Sequence, residues 1–144
     1  MPESAGLPRQ RTVPTRSGPG RILVAVYAVF AVSASARAGV QLATRFGEAP
    51  VAYLLSALAA CVYVVATVAL ARSSDLSRRV AWAAVLLELV GVLSVGAASL
   101  LDGSAFPDET VWSGFGQGYG YVPLLLPLLG LGWLWWTGRH TVAA

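Results

Sequence analysis

One acidic residue, Glu88, lies inside an apolar stretch of the chain that reads VAWAAVLLELVGVLSVG from residue 80 to residue 96. A charged side chain at the centre of a bilayer costs about 2.5–3.5 kcal/mol on insertion scales, so such residues tend to be neutral, paired or functional. The neighbours one helical turn away are apolar, whereas Tyr63 is expected at a similar depth. Two interpretations stay open. Glu88 is either a proton-titrating site or substrate contact, or a neutral or paired acid that fixes helix packing.

A second set of polar residues recurs every four positions, at Ser33, Arg37 and Gln41. This spacing places them on one face of a helix, and we expect that face to point at the third or fourth apolar span. Arg37 then has two alternatives. It can lean inward to Glu88, or its long side chain can snorkel outward to the acids that follow the third span. Those acids are Asp102, Asp108 and Glu109.

The segment 102–120 is unusual, because it is long, carries three acids and no base, and has a glycine at every second position from Gly114 to Gly120. Long connections in compact domains are often functional. We expect this segment to lie along the outer membrane surface or to dip into the bundle as a cap. Its aromatic residues, Trp112 and Tyr119 among them, are expected at the outer interface, where amphipathic rings are enriched.

The sequence gives little support for catalysis, metal binding or nucleic-acid binding. Cys61 and His140 are the only residues of their types, and the sequence shows no nucleophile–base pair, carboxylate dyad or His/Cys cluster. We therefore expect no enzymatic activity, no catalytic residue, no metal and no cofactor. The ten basic residues are all arginines scattered between apolar stretches, which argues against nucleic acid as a partner.

The elements that must position these residues follow from composition. The chain has 144 residues, of which 56 % are hydrophobic and only 12 % are charged, against about 25 % charged in soluble domains. A bilayer core needs about 20 apolar residues of helix. The sequence therefore predicts an all-α bundle of four transmembrane helices within residues 22–137. The predicted spans are residues 22–43, 51–71, 80–101 and 121–137.

The arginines also predict orientation. Eight of the ten flank one side: four in the tail 1–21, three in the loop between spans two and three, and one in the tail 138–144. The positive-inside rule then places both termini in the cytoplasm and the segment 102–120 outside. The use of arginine without lysine and the abundance of alanine, valine, leucine and glycine are typical of a GC-rich bacterial genome, so we expect a bacterial cytoplasmic membrane. The proline-rich tail 1–21 is expected to be disordered. An alternative is that the small residues 33–36 end a cleaved signal peptide, which would leave three spans.

Small residues predict how the first two spans pack, because close backbone approach drives helix association in lipid. They recur at four-residue spacing in both spans, at Ala31, Ser35 and Gly39 and at Ala52, Ser56 and Ala60. We expect an antiparallel hairpin with these stripes facing each other. In the fourth span, Pro123 and Pro127 predict a kink in the outer half.

The C-terminal third, through FPDETVWSGFGQGYGYVP at residues 106–123 and GWLWW at residues 132–136, resembles a group of small actinobacterial integral membrane proteins. The resemblance implies a four-helix bundle in the cytoplasmic membrane, and it implies no activity, cofactor or functional residue.

These observations lead to two functional hypotheses. The first is a non-enzymatic accessory or assembly subunit embedded in the lipid bilayer. It would contact a membrane-protein partner, or a second copy of itself, through its outer loop and its intramembrane polar face. The second is a small proton-coupled transporter that works as an oligomer with Glu88 as the titrating group.

Overall fold

The computed structural model describes residues 18–102, residue 104 and residues 110–142, with side chains up to residue 138. Over these residues the chain is helical and contains no strand. The four α-helices are α1 (Gly18–Thr44), α2 (Pro50–Ala71), α3 (Asp75–Leu101) and α4 (Val122–Val142). Short 3-10 turns cover Phe46–Glu48 and Ser113–Tyr119. The prediction of an all-α protein is confirmed for this part of the chain.

The helices extend beyond the apolar stretches that predicted them. Helix α3 begins five residues early because Ser74 caps it: the Ser74 side chain accepts a hydrogen bond from the Ser77 amide at 3.1 Å. Helix α1 begins four residues early, so residues 18–21 of the predicted disordered tail are helical. Helix α4 runs to residue 142 and takes in most of the predicted C-terminal tail. Residues 1–17, the rest of the predicted N-terminal tail, lie outside the described residues.

Three helices, α1, α2 and α3, are long and apolar enough to cross a membrane. The fourth candidate span is a broken one. It combines Ser113–Tyr119 with the helix that follows, and the two parts meet at an angle of 100°. The described chain therefore carries three candidate spans, or four if this bent pair counts as one.

Consecutive helices pack against each other, and α1 lies mainly against α2 and touches α4 at few points. The predicted hairpin forms, but α1 does not use the whole predicted stripe. Ala31 is buried, whereas Ser35 and Gly39 are exposed and line a groove with Ala57 and Cys61 of α2. The contact face of α1 is instead set by Tyr27 and its buried neighbours; the buried residues of this helix are Gly20, Leu23, Tyr27, Ala31, Ala38 and Gln41.

A sharp bend lies just before α4, the helix in which the prolines predicted a kink. Pro123 is the second residue of the helix, where a backbone N–H has no partner within the helix and its loss costs little. Pro127 alone lies in the helix interior. The change of direction falls earlier, at Gly120 and Tyr121, whose φ angles of 64° and 61° are left-handed. Helix α4 begins directly after this change of direction.

Residues 110–121 fold back onto the bundle, and we call them the folded-back segment. Its centre is a run of three left-handed residues, Gly114, Phe115 and Gly116, with φ angles of 58°, 61° and 86°. Glycine adopts this conformation at no steric cost, which accounts for two of the three. The Gly114 amide donates to the Ser99 hydroxyl of α3 at 2.8 Å and so fastens the segment to that helix.

Candidate functional site

Glu88 is the central residue of α3 and is fully buried. The hydroxyl of Tyr27 in α1 donates a hydrogen bond to Glu88 Oε1 at 2.6 Å. The other carboxyl oxygen, Oε2, is also buried and has no hydrogen-bond partner. Tyr27 therefore supplies the contact that the sequence could not identify, and it leaves half of the carboxyl group unsatisfied.

Tyr63 of α2 lies beside this pair. Its ring centroid is 6.2 Å from that of Tyr27, and Phe30 packs against it from α1 at 5.7 Å. The Tyr63 hydroxyl accepts a hydrogen bond from Trp112 Nε1 at 3.2 Å. Both tyrosines are fully buried. Helices α1, α2 and α3 thus meet the folded-back segment in one cluster, which we call the Glu88 cluster and which comprises Tyr27, Tyr63, Glu88 and Trp112.

Trp112 is buried, with only 1 % of its surface exposed, so its expected position at the outer interface is wrong. Its ring fills a notch at Gly91, where an added Cβ would approach the indole to 2.5 Å. Gly91 is ten residues from the end of α3, or about 15 Å along the helix. Trp112 enters the bundle because α3 offers space at Gly91 and α2 offers an acceptor for the indole N–H at Tyr63. Of the two expectations for the segment, a cap that dips into the bundle is the one observed.

Within the described residues Arg37 forms a hydrogen bond with Tyr119 rather than the predicted inward pairing with Glu88. Its Nη1 donates to the hydroxyl of Tyr119 at 2.7 Å, which joins α1 to the folded-back segment. Glu88 is bonded to Tyr27 instead, since Tyr27 is on the buried face of α1 and at the right depth. Asp102 accepts a hydrogen bond from Ser104 at 2.6 Å. Asp108 and Glu109 lie outside the described residues.

The rest of the polar stripe is divided, because Ser33 faces outward whereas Gln41 belongs to the buried face of α1. Ser33 is exposed, and Gln41 is 5 % exposed with its Oε1 buried and without a partner. These residues border an open hollow on the outer surface of α1, which we call the α1 hollow; it is lined by Ser33, Ala36, Arg37, Val40, Gln41 and Arg45. Arg45 also forms an exposed ion pair with Glu48 at 3.3 Å. The α1 hollow is thus a polar surface on a helix that is otherwise apolar.

A further polar contact ties α3 to α4 at the opposite end of the bundle. Arg78 Nη1 donates to the Thr137 hydroxyl at 2.8 Å, and its Nη2 donates to the Leu134 carbonyl oxygen. The guanidinium lies against Gly138, where an added Cβ would approach it to 2.9 Å. Sequence reasoning treated Arg78 only as a determinant of orientation. The polar Thr137 and the adjacent Gly138, which leaves room for the guanidinium, were the available signal in the apolar α4.

The chemistry open to these groups is limited. Within the described part of the chain, no three potential metal ligands lie together. The Glu88 cluster can bind and release a proton, and its phenol and indole groups can only donate or accept hydrogen bonds. The α1 hollow presents the polar side chains of Ser33 and Arg37 to a group that approaches from outside.

The chain was compared with protein families, with curated proteins and with solved structures, and nothing matches in any of the three comparisons. The two sites therefore have to be interpreted from their own geometry.

Proposed function

We propose that this protein is a non-enzymatic accessory or assembly subunit of a bacterial cytoplasmic membrane, with both termini in the cytoplasm. Its partner is another membrane protein or a second copy of the chain, and it docks on the outer surface of α1. The observation that carries the proposal is the α1 hollow. Ser33, Arg37 and Gln41 line an open surface of a helix that is long and apolar enough to span a bilayer.

A polar surface of this kind is costly against lipid tails. Polar groups on such a surface, like the exposed Ser33 hydroxyl, find no partner in hydrocarbon, and each unsatisfied polar group there costs several kcal/mol. A partner helix with a polar side chain at the same depth removes that cost. Interhelical hydrogen bonds of this type contribute about 0.6 kcal/mol on average and up to about 1.7 kcal/mol.

A second feature, on the opposite flank of α1, also supports close helix docking. Ser35, Gly39, Ala57 and Cys61 line a groove between α1 and α2. Gly39 is not needed for packing within the chain, since a Cβ at that position meets nothing within 4 Å. Small residues on an outward face allow another backbone to approach closely.

We assign the described part of the outer loop a smaller share of the docking than the sequence predicted. Val111, Trp112 and Ser113 are turned into the bundle and are not available to a partner, whereas Gln117 and Gly118 are exposed. The proposal therefore moves the main contact from the loop to α1.

A photo-crosslinking amino acid at Ser33 tests this proposal in cells of the native host. We expect one defined band, either with a single membrane protein or with a second copy, that is lost when Gln41→Leu and Arg37→Leu are combined. The matched control places the crosslinker at Val90, an exposed position of α3. Equal yields at Ser33 and Val90, or a band that survives the double substitution, would contradict the proposal.

The Glu88 cluster favours a second candidate function, that of a proton-coupled transporter acting as an oligomer. The specific observation is the buried Glu88 Oε2, which has no hydrogen-bond partner and can take up a proton. Glu88→Gln should then abolish flux driven by a pH gradient in liposomes, whereas Glu48→Gln, which alters an exposed carboxylate, should not. Equal flux in both variants would exclude this role for Glu88.

A further inference from the structure

We propose that the folded-back segment is a gate over Glu88, which stays closed while Glu88 is neutral and opens when the carboxyl group loses its proton. This inference concerns the protonation of one buried group. It does not depend on the partner-docking role, and it holds whether or not the protein carries a substrate.

The first step is that the segment closes directly over the Glu88 cluster. Trp112 is the residue of the segment that reaches closest to Glu88 along α3. Its ring lies on Gly91, which is about one helical turn from Glu88. Its indole N–H is bonded to Tyr63, whose ring neighbours Tyr27, and Tyr27 holds Glu88. Trp112 is thus separated from the carboxyl group by two tyrosine side chains.

The second step is that the closed state suits a neutral carboxyl group and not a charged one. Glu88 is fully buried, and Tyr27 is its hydrogen-bond donor. The groups that face it are the Tyr27 phenol from α1 and the Tyr63 phenol from α2, with Trp112 above them, and none of these is a cation. A buried carboxylate with one donor and no cation is strongly disfavoured, so ionisation favours any state that brings water to Oε2.

The third step is that the segment holds a strained backbone against the bundle. Three consecutive residues have left-handed φ angles, and Phe115 does so without being glycine, so its backbone is strained. The contacts that hold this backbone closed include the Trp112–Tyr63, Gly114–Ser99 and Tyr119–Arg37 hydrogen bonds, the ring contact of Tyr119 with Phe30 and the rings seated at Gly91 and Gly96.

The sign of the pH dependence follows from these steps. Closure is favoured at low pH, where Glu88 carries its proton in both states. As the pH rises, the proton is lost to water more readily from the open state than from the closed one. Opening is therefore linked to the release of one proton and should increase by at most about tenfold per pH unit.

The test measures how accessible the segment is in the full-length protein in detergent. Cys61→Ala removes the native thiol, and Val111→Cys then places a thiol at a residue that is 6 % exposed in the closed state. The matched control is Gln117→Cys in the same background, at an exposed position of the same segment. The readout is the ratio of the two labelling rates with a methanethiosulfonate reagent, which corrects for thiol ionisation.

We expect this ratio to rise with pH when Glu88 is present and to stay low and flat after Glu88→Gln, which keeps the shape and removes the charge. A flat ratio with Glu88 present, or the same rise in the Gln variant, would overturn the proposal. If the Glu88→Gln variant does not fold, the Tyr27→Phe variant tests the proposal in its place. Loss of the one donor to the carboxylate should enlarge the rise, and an unchanged rise would again overturn the gate.

Discussion

The central polar residues of this protein form hydrogen bonds with residues of other elements. The sequence predicted these partners less well than it predicted the helices. Glu88, Arg37 and Tyr63 stand out because they are polar residues in apolar stretches. Tyr27 did not, because a tyrosine in a membrane helix is commonly an interface anchor. Gly91 did not stand out either, because glycines are common in membrane helices and the sequence does not show which side chain packs against one. The bond between Tyr27 and Glu88 joins residues 61 positions apart, and its formation depends on helix rotation and depth, which periodicity alone does not determine.

Gly91→Ala tests the notch that holds Trp112. The added methyl group would overlap the indole ring, and overpacking of this kind costs about 1–3 kcal/mol. We expect a lower midpoint of thermal unfolding and a shift of tryptophan emission toward longer wavelength as Trp112 leaves the core.

The matched control is Gly39→Ala, since a Cβ there meets nothing within 4 Å and should leave both measurements unchanged or slightly improve stability. Similar losses in the two variants would show that the effect is not specific to the Trp112 notch.

At the level of elements, the sequence predicted the four helices and their order. It erred on where α1 and α3 begin, on where α4 ends and on how the chain enters α4. Hydropathy marks the apolar part of a helix, whereas the helix itself continues to its cap. Ser74 therefore extends α3 by one polar turn. The folded-back segment was harder to predict because its shape depends on notches in α3 at Gly91 and Gly96, which are features of the partner element.

Arg78 is expected to hold α3 against α4. Arg78→Ala removes two hydrogen bonds from a charged donor, and such bonds contribute about 1.5–3 kcal/mol each. We expect a clear drop in the unfolding midpoint in detergent. Arg79→Ala is the control, because Arg79 is exposed on the same turn; a loss of equal size there would point to net charge rather than to the α3–α4 contact.

Ser99 is expected to fasten the folded-back segment. Ser99→Ala removes the acceptor of the Gly114 amide and should cost about 1 kcal/mol. Hydrogen exchange at Gly114 and its neighbours, followed by mass spectrometry, should become faster while exchange in α2 stays the same. Ser94→Ala changes an exposed serine of the same helix and should not alter exchange in the segment; if it does, the Ser99 contact is not the cause.

For the whole molecule, the composition and the apolar stretches predicted an all-helical chain with several candidate spans, and this much is confirmed over the described residues. Orientation is a different kind of question, because it depends on a bilayer and on the distribution of arginines rather than on packing. It therefore remains a prediction of the sequence.

Orientation can be tested with single cysteines in a Cys61→Ala background. Gly47→Cys lies in the exposed connection between α1 and α2, and Ser73→Cys lies in the exposed connection between α2 and α3. The arginine distribution predicts that a membrane-impermeant maleimide labels the first on intact cells and reaches the second only after lysis. The reverse pattern would invert the topology, and labelling of both would remove the prediction that α2 spans the membrane.

The uneven packing of α1, which lies mainly on α2 and barely touches α4, has a consequence for biosynthesis. The first two helices can complete most of their mutual contacts while the ribosome is still adding the remainder of the polypeptide. This hairpin can then serve as a docking template onto which α3, and lastly the tryptophan-bearing end of the chain, assemble.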